Sequence, residues 1–429
     1  MRPHFRPLLT LLSLTASLSA QEAARTWTSS DGRQISAALV EYDGRAAKLK
    51  LANGTVSSVP LDRLSGADRD YLNEWQKKRP LKVTLPEVVG VDASAISIEL
   101  VSEDAESETY VYRTPHFQLE SQGKFSITLA KEVARSFEAT YELLKALPWD
   151  IQPQPAEGKY FRASLYKTKA EYMNNGGPPN SAGVYIPPQG RFLVPFSSIG
   201  VREVGSSYRM DDGFDTSTLV HELTHQMMHF WLRFLPVWAI EGTAEYTSIL
   251  PLKNGKFRVS SAKSGLKNYV DFRKTRTVGG VPEPIPLEDL FSVSGEEWSA
   301  TLAGDPSKSS RLYFTSYLLV YYFMHMDGKG DGERFIRYLR ATAELKNQAE
   351  AYERAMEEFK KHPDVKVRPD GSFTYPSSLQ PPALPKELFF AKGREELMKK
   401  NLQILLDGRS EAALMEEVRA AYRKLAIRL

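Results

Sequence analysis

Residues 215–226 read DTSTLVHELTHQ, and residues 238–246 read WAIEGTAEY. Asp215, Ser217 and Thr218 are helix-starting residues, so the first stretch predicts a helix carrying His221, Glu222 and His225. Residues four apart on an α-helix share a face, so both imidazoles can reach one cation at about 2.0–2.1 Å, with Glu222 beside them. The second stretch predicts another helix that returns across the first and brings Glu241 to the same place. Two histidines and one glutamate are three protein ligands with a fourth position open, which is what a catalytic Zn2+ needs. Glu245, one turn beyond Glu241, can reach the outer nitrogen of a ligand imidazole and set its tautomer. His229 continues the spacing, but eight residues of helix put it about 12 Å from His221, so it reads as a packed histidine. His116 and His325 read as structural.

Working outward, Ser126 to Leu147 carries Leu129, Val133, Phe137, Tyr141 and Leu144 at helical spacing, and Ala95 to Val101, Thr109 to Glu120 and Tyr160 to Tyr166 read as strands. A Gly/Pro-rich loop, Asn174 to Gly190, encloses a short strand, Ala182 to Ile186, whose edge could pair with an extended peptide. A polar loop, Gly205 to Asp215, precedes the histidine helix. Helical patterns follow at 313–326, 332–343 and 349–361. A Pro-rich linker spans 363–385, and a helical tail runs from Lys386 to Leu429.

The histidine and glutamate helices resemble those of the gluzincin metallopeptidases, in which HExxH is followed by a glutamate on a later helix, and in particular those with a Trp-x-x-Glu-Gly-x-Ala signature. The resemblance is concentrated in residues 217–247, within a domain placed at 95–362. It implies ligands His221, His225 and Glu241, and Glu222 as the general base that takes a proton from water and delivers it to the leaving amine. The run Leu312 to Ser316 is similar to the tyrosine-bearing helix of the aminopeptidase-like branch, which makes Tyr313 the group that shares the oxyanion charge. Tyr313, Tyr317 and Tyr321 also form a stripe at helical spacing that suits core packing. The Gly-x-Met-Glu-Asn strand with which aminopeptidases capture a substrate amine is absent. Endopeptidase action is therefore expected over exopeptidase action.

Residues 1–20 place Arg2 and Arg6 ahead of an apolar run and end Ser19-Ala20, the order of a secretory signal peptide. The 429 residues contain no cysteine, so the exported chain has neither disulfides nor thiolate metal sites, and its metal chemistry belongs to His and carboxylate. Lys plus Arg number 56 against 53 Asp plus Glu, interspersed, which indicates neither nucleic acid nor a polybasic membrane patch. No later segment is long and apolar enough to cross a bilayer. From Thr26 to about Tyr71, short alternating runs are separated by Asp31-Gly32, Asp43-Gly44 and Asn53-Gly54, predicting a bent barrel of about five strands closed by a helix from Gly66 to Trp75 after a Ser65 cap. Arg25 to Thr28, Val59-Pro60-Leu61, Leu64-Ser65 and Asp68 to Tyr71 resemble the SLA homology domain 1, an SH3-like module, at 21–80. That resemblance implies a peptide or envelope ligand for the module.

The expectation is thus an α+β chain, a gluzincin-like domain after a small SH3-like barrel, secreted or periplasmic in a bacterium, acting on a peptide or protein substrate. The competing expectation is a cell-surface or periplasmic binding or scaffold protein whose zinc site is structural or decayed. Hydrolysis of a non-peptide amide in an envelope polymer is a third.

Overall fold

The structure is a computed structural model and describes residues 24–42, 46–77, 81, 83–179, 181–211, 213–277 and 280–429. The expected signal peptide and the Asp43-Gly44 turn lie outside the described residues. Helices and strands are mixed in an α+β chain, which divides into two compact units, Met1–Lys82 and Val83–Leu429. No described helix is long and apolar enough to span a membrane.

In the first unit, β1 (Arg25–Thr28), β2 (Gln34–Tyr42), β3 (Ala46–Leu51) and β4 (Val56–Pro60) form an antiparallel sheet in sequence order, followed by α1 (Gly66–Lys77). Among the described residues four strands stand where about five were expected, and β1 and β4 are the edges of this sheet. Gly32 and Gly54 turn the chain at φ +84° and +85°, a backbone that costs a side-chain-bearing residue dearly. Trp27, Leu39, Leu49, Leu64 and Leu72 make the core. Buried Asp68 accepts hydrogen bonds from Arg25, the Thr28 amide and Ser65, so its charge is matched.

The second unit begins with β5 (Val88–Gly90) and continues through β6 (Glu99–Asp104), β7 (Thr109–Arg113) and β8 (Phe117–Ser121). The expected strand from Ala95 thus starts at Glu99, and the run 109–120 is a hairpin that turns at Pro115, which cannot donate to a ladder. Ser126 caps α2 (Ile127–Ala146) by accepting from Leu129 N. Next come β9 (Phe161–Tyr166), α3 (Lys169–Asn174), β10 (Val184–Ile186) and β11 (Arg191–Pro195). The six-stranded sheet has the order β10-β11-β9-β8-β7-β6; β9 is parallel to β8 and β11, and the other pairs are antiparallel. Phe137 of α2 packs on Phe117 and Phe192, so the helix covers the parallel centre while β10 is left as an edge.

A hairpin, β12 (Val201–Val204) with β13 (Ser207–Met210), occupies part of the expected polar loop and leads to α4 (Ser217–Met227) and α5 (Val237–Ile249). Strands β14 (Leu252–Lys253) and β15 (Lys256–Arg258) join β5, then α6 (Ala262–Arg276), α7 (Leu287–Ser292), α8 (Gly295–Gly304) and α9 (Pro306–His325) follow. Where two helices were expected at 332–343 and 349–361, one helix, α10 (Glu333–Lys360), runs through, because 344–348 contains neither Gly nor Pro to stop it. Within 363–385 lies a hairpin of β16 (Lys366–Val367) and β17 (Phe373–Thr374). The C-terminal stretch forms α11 (Lys386–Phe389), α12 (Ala391–Leu406) and α13 (Glu411–Lys424). Buried Tyr422 of α13 donates to the Leu318 carbonyl of α9 at 2.8 Å.

Candidate metal centre

Helix α4 is tied down on two sides. Buried Gln226 donates through Nε2 to the carbonyl of half-buried Arg162 on β9, and buried Thr224 Oγ1 meets Thr247 Oγ1 of α5, both at 2.8 Å. A buried polar group that loses its partner costs about 1–3 kcal/mol, so these bonds hold α4 on the sheet and set where α5 crosses it. At the start of α5, Trp238 is buried against Phe291 and Tyr338. Gly242 then lets α5 approach α9, because a Cβ there would lie only 2.6 Å from the Ser316 carbonyl oxygen.

The side chains so placed converge. His221 Nε2 lies 3.1 Å from His225 Nε2, and Glu241 Oε2 lies 3.1 Å from the first and 3.4 Å from the second. Ligands about 2.0–2.1 Å from a tetrahedral zinc are separated by about 3.3–3.4 Å, so the triangle has the size the metal requires. The donor chemistry agrees: two imidazole nitrogens cannot face each other this closely with both lone pairs bare, and a proton or a cation must sit among them. Among the described residues no further His, Asp or Glu joins the group. His221 and Glu222 border a cavity of about 810 Å³ that is also lined by Tyr313 and Glu245.

The remaining predicted residues surround this triangle. Glu245 Oε1 stands 3.5 Å from His221 Nδ1, the nitrogen turned away from Glu241. The Tyr313 ring centre is 6.0 Å from that of His221 and packs edge-on against Trp298. His229 is not part of the group; its Nδ1 is 2.7 Å from the Tyr185 hydroxyl. His325 pairs with the Tyr246 hydroxyl at 2.9 Å, and His116 with buried Glu138 at 2.6 Å.

Electrostatics divide the carboxylates. Burial works against ionisation of Glu241, but His225 and His221 outweigh it and hold its carboxyl below the usual range. Burial raises the Glu222 carboxyl, and the two histidines only partly oppose this, so it is the more basic of the pair. Burial opposes a charge on His221 as well, yet the Glu241 and Glu245 carboxylates push it up to about 9 in the metal-free chain. Tyr313 is pushed far upward, first by burial and then by Glu241, so it keeps its proton and is a hydrogen-bond donor.

Three residues here carry no motif in the sequence. Tyr185 of β10 donates its amide to Glu222 Oε2 at 3.1 Å while its hydroxyl holds His229, so the edge strand grips the base of the site. Tyr269 of α6 sits with its hydroxyl beside Glu245, and Arg273 donates to that hydroxyl at 2.7 Å. The i, i+4 spacing of Tyr269 and Arg273 is visible in the sequence, but nothing local relates them to His221. Comparison of the chain with known protein families and with curated proteins finds no match.

Proposed function

We propose that the chain is an exported zinc metallopeptidase of the gluzincin type, acting as an endopeptidase, with its first unit an SH3-like module for a peptide or envelope ligand. The observation that carries this reading is the 3.1–3.4 Å triangle of His221, His225 and Glu241 beside a large cleft. Zinc in such a ligand set supplies Lewis acidity, which activates water and polarises a carbonyl.

The chain's own residues supply the rest. Glu222 takes the proton of the attacking water and passes it to the leaving amine, and the Tyr185 amide holds its carboxylate in place. The protonated Tyr313 hydroxyl donates to the oxygen on which charge develops. Glu245 accepts from His221 Nδ1 and thereby leaves Nε2 free to bind the metal. Because Glu222 takes the Tyr185 amide of β10, an extended peptide would pair with the segment just before that edge strand, where Ala182 and Gly183 border the cavity.

Metal analysis and digestion of a peptide library, with and without chelator, test the proposal. One zinc per chain and chelator-sensitive cleavage are expected. The absence of stoichiometric zinc, with cleavage indifferent to chelator, would overturn it. Glu222→Gln should keep zinc and lose cleavage by at least about 10²-fold; a variant that still turns over removes Glu222 from its role.

A further inference from the structure

One face of α6 borders the cleft: Gly265, Asn268, Tyr269, Phe272 and Arg273 fall at the i, i+3, i+4, i+7, i+8 spacing. Arg273 is the one Arg or Lys among the described residues lining the cavity. Its Nη1 donates to Ser310 Oγ at 2.9 Å, its Nη2 donates to the Tyr269 hydroxyl at 2.7 Å, and the guanidinium lies 4.8 Å from the centre of the Tyr269 ring. Both partners are neutral, and the buried Nε has no partner among the described residues.

Some partly buried arginines of this unit, such as Arg113, Arg311 and Arg394, also donate to neutral oxygens, but none of these lines the cavity; others are matched by acids. Arg334 pairs with Asp327 and Asp407, Arg337 with Glu333, and Arg409 with Asp327 and Glu417. No acid of the cleft touches the guanidinium directly: Asp215 accepts from Ser217 N, Glu222 from Tyr185 N, and Glu245 faces His221 and, on its other side, the Tyr269 hydroxyl that stands between it and Arg273. A guanidinium drawn partway out of water without a counter-charge is unfavourable, and its planar fork is shaped to bind a carboxylate through two hydrogen bonds. Tyr269 and Ser310 hold the fork from α6 and α9 without neutralising it.

We propose that Arg273 receives a carboxylate of the peptide substrate, so that the cleft selects peptides bearing an acidic side chain or a free C-terminus at the position facing α6. This rests on the peptidase reading above.

The test uses the zinc-loaded full chain carrying Glu222→Gln, so that binding is read without cleavage. Three alanine-based hexapeptides are titrated calorimetrically: one blocked at both ends, one blocked with a central Glu, and one with a free C-terminal carboxylate. One of the carboxylate peptides should bind about 10- to 100-fold more tightly than the neutral one, the range of a charge-assisted bidentate contact. The central-Glu peptide winning means an acidic side chain is read, and the free-terminus peptide winning means the chain end is read. Arg273→Gln should erase the preference, Arg273→Lys should retain part of it, and Arg273→Glu should turn it towards a central-Lys peptide; melting temperatures check that each variant folds. Equal binding of all three peptides, no binding of any, or a preference that survives Arg273→Gln overturns the proposal. Library cleavage by the parent with no preference for an acidic side chain or for a free C-terminus near the cleaved bond sinks this inference and leaves the peptidase standing. Carboxylate-selective binding by a chain that cleaves nothing does the reverse.

Discussion

Gly242→Ala probes the packing that delivers Glu241 to the two histidines. The added Cβ would stand 2.6 Å from the Ser316 carbonyl oxygen and 2.8 Å from Val320 Cγ2, about 0.8 Å short of ordinary contact with the first. Ser316 O is backbone within α9 and cannot rotate aside, so α5 and α9 must separate by several tenths of an ångström. Overpacking of this kind costs about 1–3 kcal/mol, and the better helix propensity of alanine returns about 1 kcal/mol. A net loss of up to about 2 kcal/mol is expected, seen as a fall in melting temperature of up to about 3 °C for a unit of this size. Because Glu241 adjoins Gly242, the same shift opens a triangle whose sides are 3.1–3.4 Å, and zinc affinity should drop about 10-fold or more. Scanning calorimetry and competition with a metal indicator read the two effects. Gly304→Ala is the control, since its Cβ meets nothing within 4 Å and, lying in a helix, it should leave stability unchanged or raise it by up to about 1 kcal/mol. A Gly242→Ala chain that melts at or above the parent and binds zinc equally well would refute the reasoning.

Tyr313→Phe should lower kcat by about 10²–10³-fold with zinc content unchanged, the cost of removing one oxyanion donor; a kcat within threefold of the parent by peptide cleavage assigns the ring to packing instead. Tyr185→Phe and His229→Ala break the same 2.7 Å bond, so each should reduce kcat by a similar factor and the double variant by little more; fully additive losses would show that the bond does not steady Glu222. His325 titrates near 4 in the folded chain because burial penalises the imidazolium, against about 6.5 when unfolded. The unfolded chain therefore binds the extra proton between those values, and stability should fall as pH drops from about 6.5 to 4, by at most about 3 kcal/mol. Chemical denaturation across that range, compared with His325→Gln, should show the parent's slope flattened in the variant; identical slopes would remove His325 from the account.

Much of the chain was legible in local pattern. The helix of residues 127–146 follows from one apolar stripe and a serine cap, and the two imidazoles share a face because four-residue spacing on a helix is a local matter. Elements lacking a local stop are harder to read: the continuous helix 333–360 reads as two helices, and the polar stretch 205–215 reads as loop although its first part belongs to the hairpin 201–210. Its pairing joins residues through a ladder, which no periodicity records.

The sequence by itself determined the donor set, since a chain without cysteine that carries HExxH and a later Trp-x-x-Glu can offer a metal only imidazole and carboxylate there. Only the tertiary structure decided that Glu241 reaches His221 and His225, through the Thr224 to Thr247 contact and the close approach at Gly242. It also decided that Tyr185, Tyr269 and Arg273 surround the same cleft. The reason is the range of the forces involved: helical spacing acts over four residues, whereas these contacts join segments separated by dozens of residues whose meeting depends on how buried surfaces fit.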